Sequence, residues 1–190
     1  SLEFDGYEAD DIIGTIAKKQ VKKGWHVVIV TGDRDLLQLI EPGIEVVAFK
    51  RGVTETVLYD AKEVKNQYGL SIDQFLEYKA MRGDPSDNIP GIKGIGDKTA
   101  TALLLYYKNL DGIFKAAHDE SSELKPGVRR KLLEAEDDMD DILDLVRIHL
   151  DVPIKYSPKK DSVGIQNKDQ TIAFLKEMDF KSLMRRLKLK

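Results

Sequence analysis

The spacing of apolar residues divides the chain into two halves of different character. Between Glu8 and Lys23, Ile12, Ile13, Ile16 and Ala17 recur at helical spacing. Lysines gather towards the end of this segment, where they suit a helix dipole, and Gly24 stops it. His26–Thr31 (HVVIVT) is a short, apolar, β-branched run that predicts a buried parallel strand. After Gly32, Asp35–Ile40 reads as a short helix ended by Pro42–Gly43. Ile44–Phe49 is a second predicted strand, and Val53–Tyr59 a third after a turn at Arg51–Gly52. Ala61–Tyr68 is a predicted helix closed by Gly69, and Ser71 caps the next one, Ile72–Arg82.

From Gly83 onward the strand pattern stops. Asp84–Gly96 is a loop rich in glycine and proline. Helices are predicted at Asp97–Tyr107, Leu110–Ala117, Gly127–Glu134, Met139–Arg147, Ile172–Met178 and Ser182–Leu189. The fold class is therefore α/β: residues 1–82 form a base with a mostly parallel sheet flanked by helices, and residues 83–190 form a helical lobe. Only Val27–Val30 has the apolar character of a central strand, and a doubly wound sheet with one such strand is improbable. Another chain, or an amino-terminal portion outside these 190 residues, is expected to complete the sheet.

Composition narrows the chemistry. There is no cysteine, which excludes disulfides and thiolate metal sites, and His26, His118 and His149 lack zinc spacing. No apolar run reaches the roughly 18 residues of a membrane span, and Ser1 opens no signal peptide. A cytoplasmic location without membrane contact is the expectation. The formal net charge of −3 argues weakly against nucleic acid, but the charges are segregated. Acids cluster at Glu8–Asp11, Asp33–Asp35 and Asp84–Asp87; bases cluster at Lys93–Lys98, Lys125–Lys131 and Arg185–Lys190. A protein that holds cations at one place and phosphates at another has this distribution, as do many solvated surfaces.

Each acid cluster has an ordinary explanation when taken alone. Glu8, Asp10 and Asp11 near a helix start complement its dipole. Asp33 and Asp35 can cap the short helix that follows the first strand. Asp84 and Asp87 lie in a loop, where aspartate is common. Together they are harder to dismiss. Seven carboxylates with no histidine or cysteine among them form an oxygen-only donor set, which suits Mg²⁺ or Mn²⁺. Brought together without cations they would repel, and some would have to protonate. Two divalent ions about 4 Å apart remove that difficulty and are the usual machinery of phosphodiester hydrolysis.

The segment IPGIKGIGDKTA (Ile89–Ala100) sets Gly91, Gly94 and Gly96 just before a predicted helix. Such a turn presents backbone N–H groups to a phosphate, and Lys93 and Lys98 add charge. No base-reading side chain is evident, so the contact would be to the DNA backbone. A tight interhelical turn that merely needs glycine is the competing reading. Ile92 and Ile95 alternate with the glycines, which suits a turn tucked between helices.

In this order and at these separations, GYEADD, TGDRD, GDPSDN and GIKGIGDKTA resemble the 5′-nuclease domain of bacterial DNA polymerase I and the stand-alone 5′–3′ exonucleases and flap endonucleases. FLKEMDFKSLMRRL (Phe174–Leu187) is similar to that domain's last helix. The resemblance implies a PIN-like nuclease base, a helix–three-turn–helix lobe, two divalent cations and structure-selective cleavage in replication and repair. It implies catalytic roles for Glu8, Asp10, Asp33, Asp35 and Asp87. Glu8 and Asp10 match carboxylates near a first metal, and Asp33, Asp35 and Asp87 match ligands of a second. Asp11 and Asp84 match acids one layer further out. Gly91, Lys93, Gly94, Ile95, Gly96, Lys98 and Thr99 match the duplex-binding element, whose carbonyls hold K⁺ in that family. The implied partners are DNA with 5′ flaps, 5′ ends or nicks and a covalently linked polymerase domain, at the bacterial nucleoid. The family's first strand, its metal-binding aspartate, and the helical arch with a further aspartate beside it have no match in these 190 residues.

Two other readings compete with the nuclease. A non-catalytic duplex-DNA-binding module would use the acids only as caps. A metal-dependent phosphatase on a similar base leaves the glycine turn unexplained. Trp25, Tyr106 and Tyr107 are expected to pack in the interior, and Arg34 and Arg82 beside the acids either meet a phosphate or balance charge.

Overall fold

The computed structural model describes residues 2–51, 55–156, 158 and 167–189. The chain divides into two compact units, Ser1–Ile154 and Lys155–Lys190. The first contains, in order, α1 (Ala9–Val21), β1 (Val27–Thr31), a 3-10 turn (Asp35–Leu39), β2 (Ile44–Arg51), β3 (Glu55–Tyr59), α2 (Ala61–Tyr68), α3 (Ile72–Arg82), α4 (Asp97–Tyr107), α5 (Leu110–His118), α6 (Pro126–Ala135), a second 3-10 turn (Glu136–Asp138) and α7 (Met139–Val146). The second contains α8 (Lys168–Glu177) and α9 (Lys181–Arg186).

The strands form one sheet in the order β1-β2-β3. β1 and β2 pair in parallel from Val27 opposite Ile44 to Thr31 opposite Ala48, and β3 returns antiparallel on the other side of β2. The central position thus belongs to β2, whose Ile44, Val46 and Ala48 alternate into the core. Of the apolar residues of β1, Ile29 is buried, whereas Val28 and Val30 are 47% and 63% exposed, and β1 lies at the sheet edge among the described residues, the edge that the further strand expected from the sequence would cover. Trp25 is likewise 47% exposed rather than interior. The 3-10 turn replaces the short helix expected at Asp35–Ile40, and Gly52 of the expected turn and Val53–Thr54 of the expected third strand lie outside the described residues.

The caps follow the sequence. Asp60 accepts from the Glu63 N–H at 2.7 Å, Asn109 from Gly112 at 2.8 Å and Asn167 from Gln170 at 3.0 Å. Ser71 and Gln74 form a reciprocal capping box at the start of α3. α8 begins at Lys168, ahead of its predicted start at Ile172, because its first turn is polar and leaves no apolar period to read.

α3 is the spine of the first unit, packing against α4, α7 and the 3-10 turn at Asp35–Leu39. A strap after α7 then binds α1. Asp11, Thr15 and Lys19, spaced four apart on one helix face, meet it in turn. Asp11 accepts the His149 N–H at 2.8 Å, the Thr15 hydroxyl oxygen accepts the Val152 N–H at 3.3 Å, and the Lys19 ammonium donates to the Val152 carbonyl at 3.1 Å. No helix among the described residues is long and apolar enough to cross a membrane.

Candidate active site and nucleic-acid interface

Three loops and helix ends converge on a cleft of about 500 Å³. Its walls carry Glu8, Asp10 and Asp11 from the start of α1, Asp33 and Asp35 from the turn after β1, and Asp87 from the loop after α3. This is the carboxyl end of β1, where α/β folds place ligands. Local geometry fixes each group. The Asp33 N–H donates to the Thr31 hydroxyl at 2.9 Å, and the Asp35 N–H donates to the Asp33 carboxylate at 2.9 Å, so the two acids fan out from one tight turn. The loop after α3 closes with mutual backbone bonds between Asp84 and Ile89, both at 2.9 Å. Its base requires glycine: Gly83 has φ +75°, and a Cβ there would sit 2.6 Å from the Ile89 carbonyl oxygen.

Carboxylate oxygens of Asp35, Asp84 and Asp87 lie within 4.8 Å of one another, a spacing that a single hard cation spans. Asp11 is different. It is buried, and its two oxygens already accept backbone N–H groups, from Glu8 at 3.1 Å and from His149 at 2.8 Å. Asp11 therefore faces the cleft as an anchor for the start of α1 and for the strap.

The seven acids are not equivalent. Burial, followed by the charges of Asp33, Asp35, Glu8 and Asp11, pushes Asp10 up to about 6. Burial also raises Asp35, against the opposing pull of Lys79. Asp84 is held down at about 2 by hydrogen bonds from Lys79 and Ser86. Lys79 was not singled out by the acid pattern. It lies on α3 with its ammonium 2.7 Å from Asp35 and bonded also to Asp84. Burial disfavours its charge, but the two carboxylates outweigh that and raise it above the ordinary lysine value. The sequence did carry a signal: Ile72, Phe75, Leu76 and Lys79 fall at i, i+3, i+4 and i+7, so a lysine stands where the apolar stripe of α3 calls for a hydrophobe. Arg147 also lines the cleft, and among the described residues its guanidinium has no carboxylate within salt-bridge distance.

Past the cleft, residues 91–96 form the glycine turn between α3 and α4. Ile92 and Ile95 are buried and joined by an N–H···O bond of 2.9 Å, which leaves Lys93 and Gly94 exposed at the tip. Gly94 has φ +78°, the left-handed conformation that the third position of such a turn demands. The N–H groups of Gly94, Gly96, Asp97 and Lys98 have no backbone acceptor among the described residues. Asp97 opens α4 and is held from α3 by the Tyr78 hydroxyl and the Arg82 guanidinium, both at 2.6 Å. Arg82 thus balances charge within the element. Tyr107 packs on the core, but Tyr106 is 62% exposed and donates to Glu123 at 3.0 Å, contrary to the interior role expected of it.

Residues 1–69 match the model of the 5′–3′ exonuclease N-terminal resolvase-like domain, and residues 70–171 match the 5′–3′ exonuclease C-terminal SAM fold. The chain is 39% identical over 191 aligned positions to DNA polymerase I of Caldicellulosiruptor bescii, covering 99% of this chain and 22% of that protein. It is 38% identical over 185 positions to DNA polymerase I of Bacillus subtilis, covering 97% and 21%. It therefore spans about a fifth of these relatives. A bacteriophage T5 flap endonuclease solved with DNA and metal ions superposes with a TM-score of 0.66 at 25% identity, covering 76% of this chain and 51% of that one. The catalytic core of Rad2 with a DNA substrate shares the fold, with a TM-score of 0.62 at 17% identity over 95% of this chain and 60% of that one.

Proposed function

The chain belongs to the 5′–3′ exonuclease family, and from that premise we propose that it forms the metal-binding and duplex-gripping part of a structure-selective nuclease that hydrolyses DNA at 5′ flaps, 5′ ends or nicks. The observation that carries the reading is the convergence of carboxylates from three separate segments on one cleft, with Asp35, Asp84 and Asp87 close enough to share a cation. The donor set is all oxygen, which fits Mg²⁺ or Mn²⁺ better than a softer metal.

In this reading Asp33, Asp35 and Asp87 hold one divalent ion, with Asp84 beside them in the outer layer because Lys79 and Ser86 already hold its two oxygens, and Glu8 and Asp10 contribute to a second. When bound, such ions activate water and stabilise charge on the attacking and leaving oxygens. The chain's own residues do the positioning. The Asp33 turn aims two carboxylates into the cleft, Asp11 fixes the start of α1, and Lys79 keeps Asp35 and Asp84 apart from each other's charge. Raised Asp10 and Asp35 are acids that gain most from a cation. Arg147 faces the cleft from the strap side, a place for a substrate phosphate.

Gly91, Lys93, Gly94, Ile95, Gly96, Lys98 and Thr99 grip the duplex backbone without reading sequence, through free N–H groups and lysine charge. A K⁺ ion on the turn's carbonyls is part of the proposal. The division of labour falls near residue 82, with residues 1–82 supplying most of the acids and residues 83–190 the grip. Both DNA polymerase I relatives come from bacteria, so the proposed setting is the bacterial cytoplasm at the nucleoid, in replication and repair, with a polymerase portion in the same polypeptide.

The test is cleavage of a 5′-flap duplex with Mg²⁺ by this chain joined to the amino-terminal portion expected to complete the sheet. Cleavage is expected to disappear with chelator and in the Asp33→Ala/Asp35→Ala double variant. Undiminished cleavage by that variant would remove the metal assignment.

A further inference from the structure

Lys131 belongs neither to the cleft nor to the segment that reads as the grip, yet it reaches the tip of the glycine turn. It is carried on α6, next to the fully buried Leu132 that seats this helix in the core. Its ammonium donates to the Gly94 carbonyl at 2.9 Å. Its stem lies across the open side of the same residue: a Cβ on Gly94 would meet the Lys131 Nζ at 2.5 Å and Cε at 3.0 Å. α6 is itself tied down by Arg129, whose guanidinium donates to the Asp119 carbonyl at 2.7 Å and to the Ser122 hydroxyl at 3.0 Å. A rigid helix therefore delivers a cation to one peptide of an exposed turn.

The placement matters for a turn that is to hold a phosphate. Each peptide in the turn has an N–H that attracts an anion and a C=O that repels it. Gly94 is free to rotate its peptides because it lacks a side chain. The Ile95 N–H bond to the Ile92 carbonyl holds the Gly94–Ile95 peptide from within the turn; the Lys131 ammonium holds the same peptide from outside and offsets the carbonyl's partial negative charge. The neighbouring N–H groups at Gly96, Asp97 and Lys98 have no backbone acceptor among the described residues.

We propose that Lys131 is a positioning residue for duplex binding, which sets the Gly94 peptide so that the turn's N–H groups meet a backbone phosphate. The inference rests on the duplex-gripping role proposed for the turn. It assigns Lys131 an indirect role: the hydrogen bond to Gly94 carries the effect, and no phosphate is contacted by Lys131 itself.

The experiment is fluorescence anisotropy of a labelled DNA duplex with the full chain across a salt series, for wild type and the variants Lys131→Met, Lys131→Gln and Lys131→Arg. Methionine keeps much of the stem over Gly94 and removes the donor. It is expected to weaken binding about tenfold while leaving the slope of log affinity against log salt unchanged and the melting temperature within a few degrees. Arginine, which restores a donor, is expected to recover most of the affinity, and glutamine part of it. A slope lowered by about one in the methionine variant would make Lys131 a direct phosphate contact and overturn the proposal. Binding equal to wild type in both the methionine and glutamine variants would also overturn it. Absence of duplex binding by the wild type would instead overturn the reading of the turn, and the proposal with it.

Discussion

The acid cleft and the glycine turn share one compact unit but meet their electrostatic requirements differently. The cleft gathers carboxylates from three segments, Glu8–Asp11, Asp33–Asp35 and Asp84–Asp87, and leaves most of their charge unbalanced. Its internal cation is Lys79, which serves Asp35 and Asp84 and leaves Asp10 pushed up to about 6. The turn is built from one contiguous segment in which Arg82 meets Asp97 and Lys131 meets the Gly94 carbonyl, while Lys93 and Lys98 have no carboxylate within salt-bridge distance among the described residues. A region that is incomplete without an external ion is suited to chemistry that depends on that ion. A turn whose backbone is held by its neighbours, with N–H groups and lysines to spare, is suited to holding an anionic ligand in place.

The contrast can be broken most severely in the cleft. Asp33→Ala with Asp35→Ala is expected to lower Mg²⁺-dependent flap cleavage by roughly a thousandfold or more, since metal charge stabilisation is worth several kcal/mol. Turnover measured at saturating duplex checks it.

Lys79→Met comes next. It leaves two largely buried carboxylates without their ammonium, which is expected to destabilise the metal-free chain by about 3 kcal/mol, with saturating Mn²⁺ restoring part of the loss. Urea unfolding with and without the ion reads both effects. The same substitution on a surface pair would cost far less.

Divalent ions should stabilise the cleft and leave the turn alone. At a hundred times the dissociation constant, Mn²⁺ binding contributes about 2.7 kcal/mol, a rise of roughly 5–10 °C in melting temperature for a chain of this size. Asp35→Asn is expected to abolish most of that rise. Gly91→Ala, placed at φ +58° against the backbone of Arg82 and Gly83, is expected to lower the melting temperature equally with and without the ion.

The smallest effect is a pH dependence. Asp10 titrates at about 6 in the folded chain against an ordinary value of 3.8. Between those values the folded chain binds more protons than the unfolded one, so metal-free stability falls as pH rises through that window and levels off above it. Thermal melts from acid to neutral pH in chelator test the sign, and saturating divalent ion should flatten or reverse the trend.

Much of this contrast was legible in the sequence, for reasons that differ by region. The turn is local, so Gly91, Gly94 and Gly96 interleaved with Ile92 and Ile95 make its position legible from one short segment. The helices α2, α3 and α4 have the bounds that their caps and periodicity predict. The cleft was legible as a set of residues but not as an arrangement. Nothing in the spacing of Asp11 shows that a strap from beyond α7 takes one of its oxygens, because that contact spans 138 positions. Lys79 was hidden because an amphipathic pattern is read by its hydrophobes, and Lys131 because its partner is a backbone carbonyl that no side-chain motif marks.

The central claim is that chemistry resides in the cleft and grip in the turn. The most direct measurement is a paired one on the Asp33→Ala/Asp35→Ala variant: 5′-flap cleavage with Mg²⁺ and duplex affinity without it. Cleavage is expected to be lost while affinity in metal-free buffer stays within about threefold of wild type. Cleavage at the wild-type rate, or loss of metal-free affinity in a variant that remains folded, would contradict it.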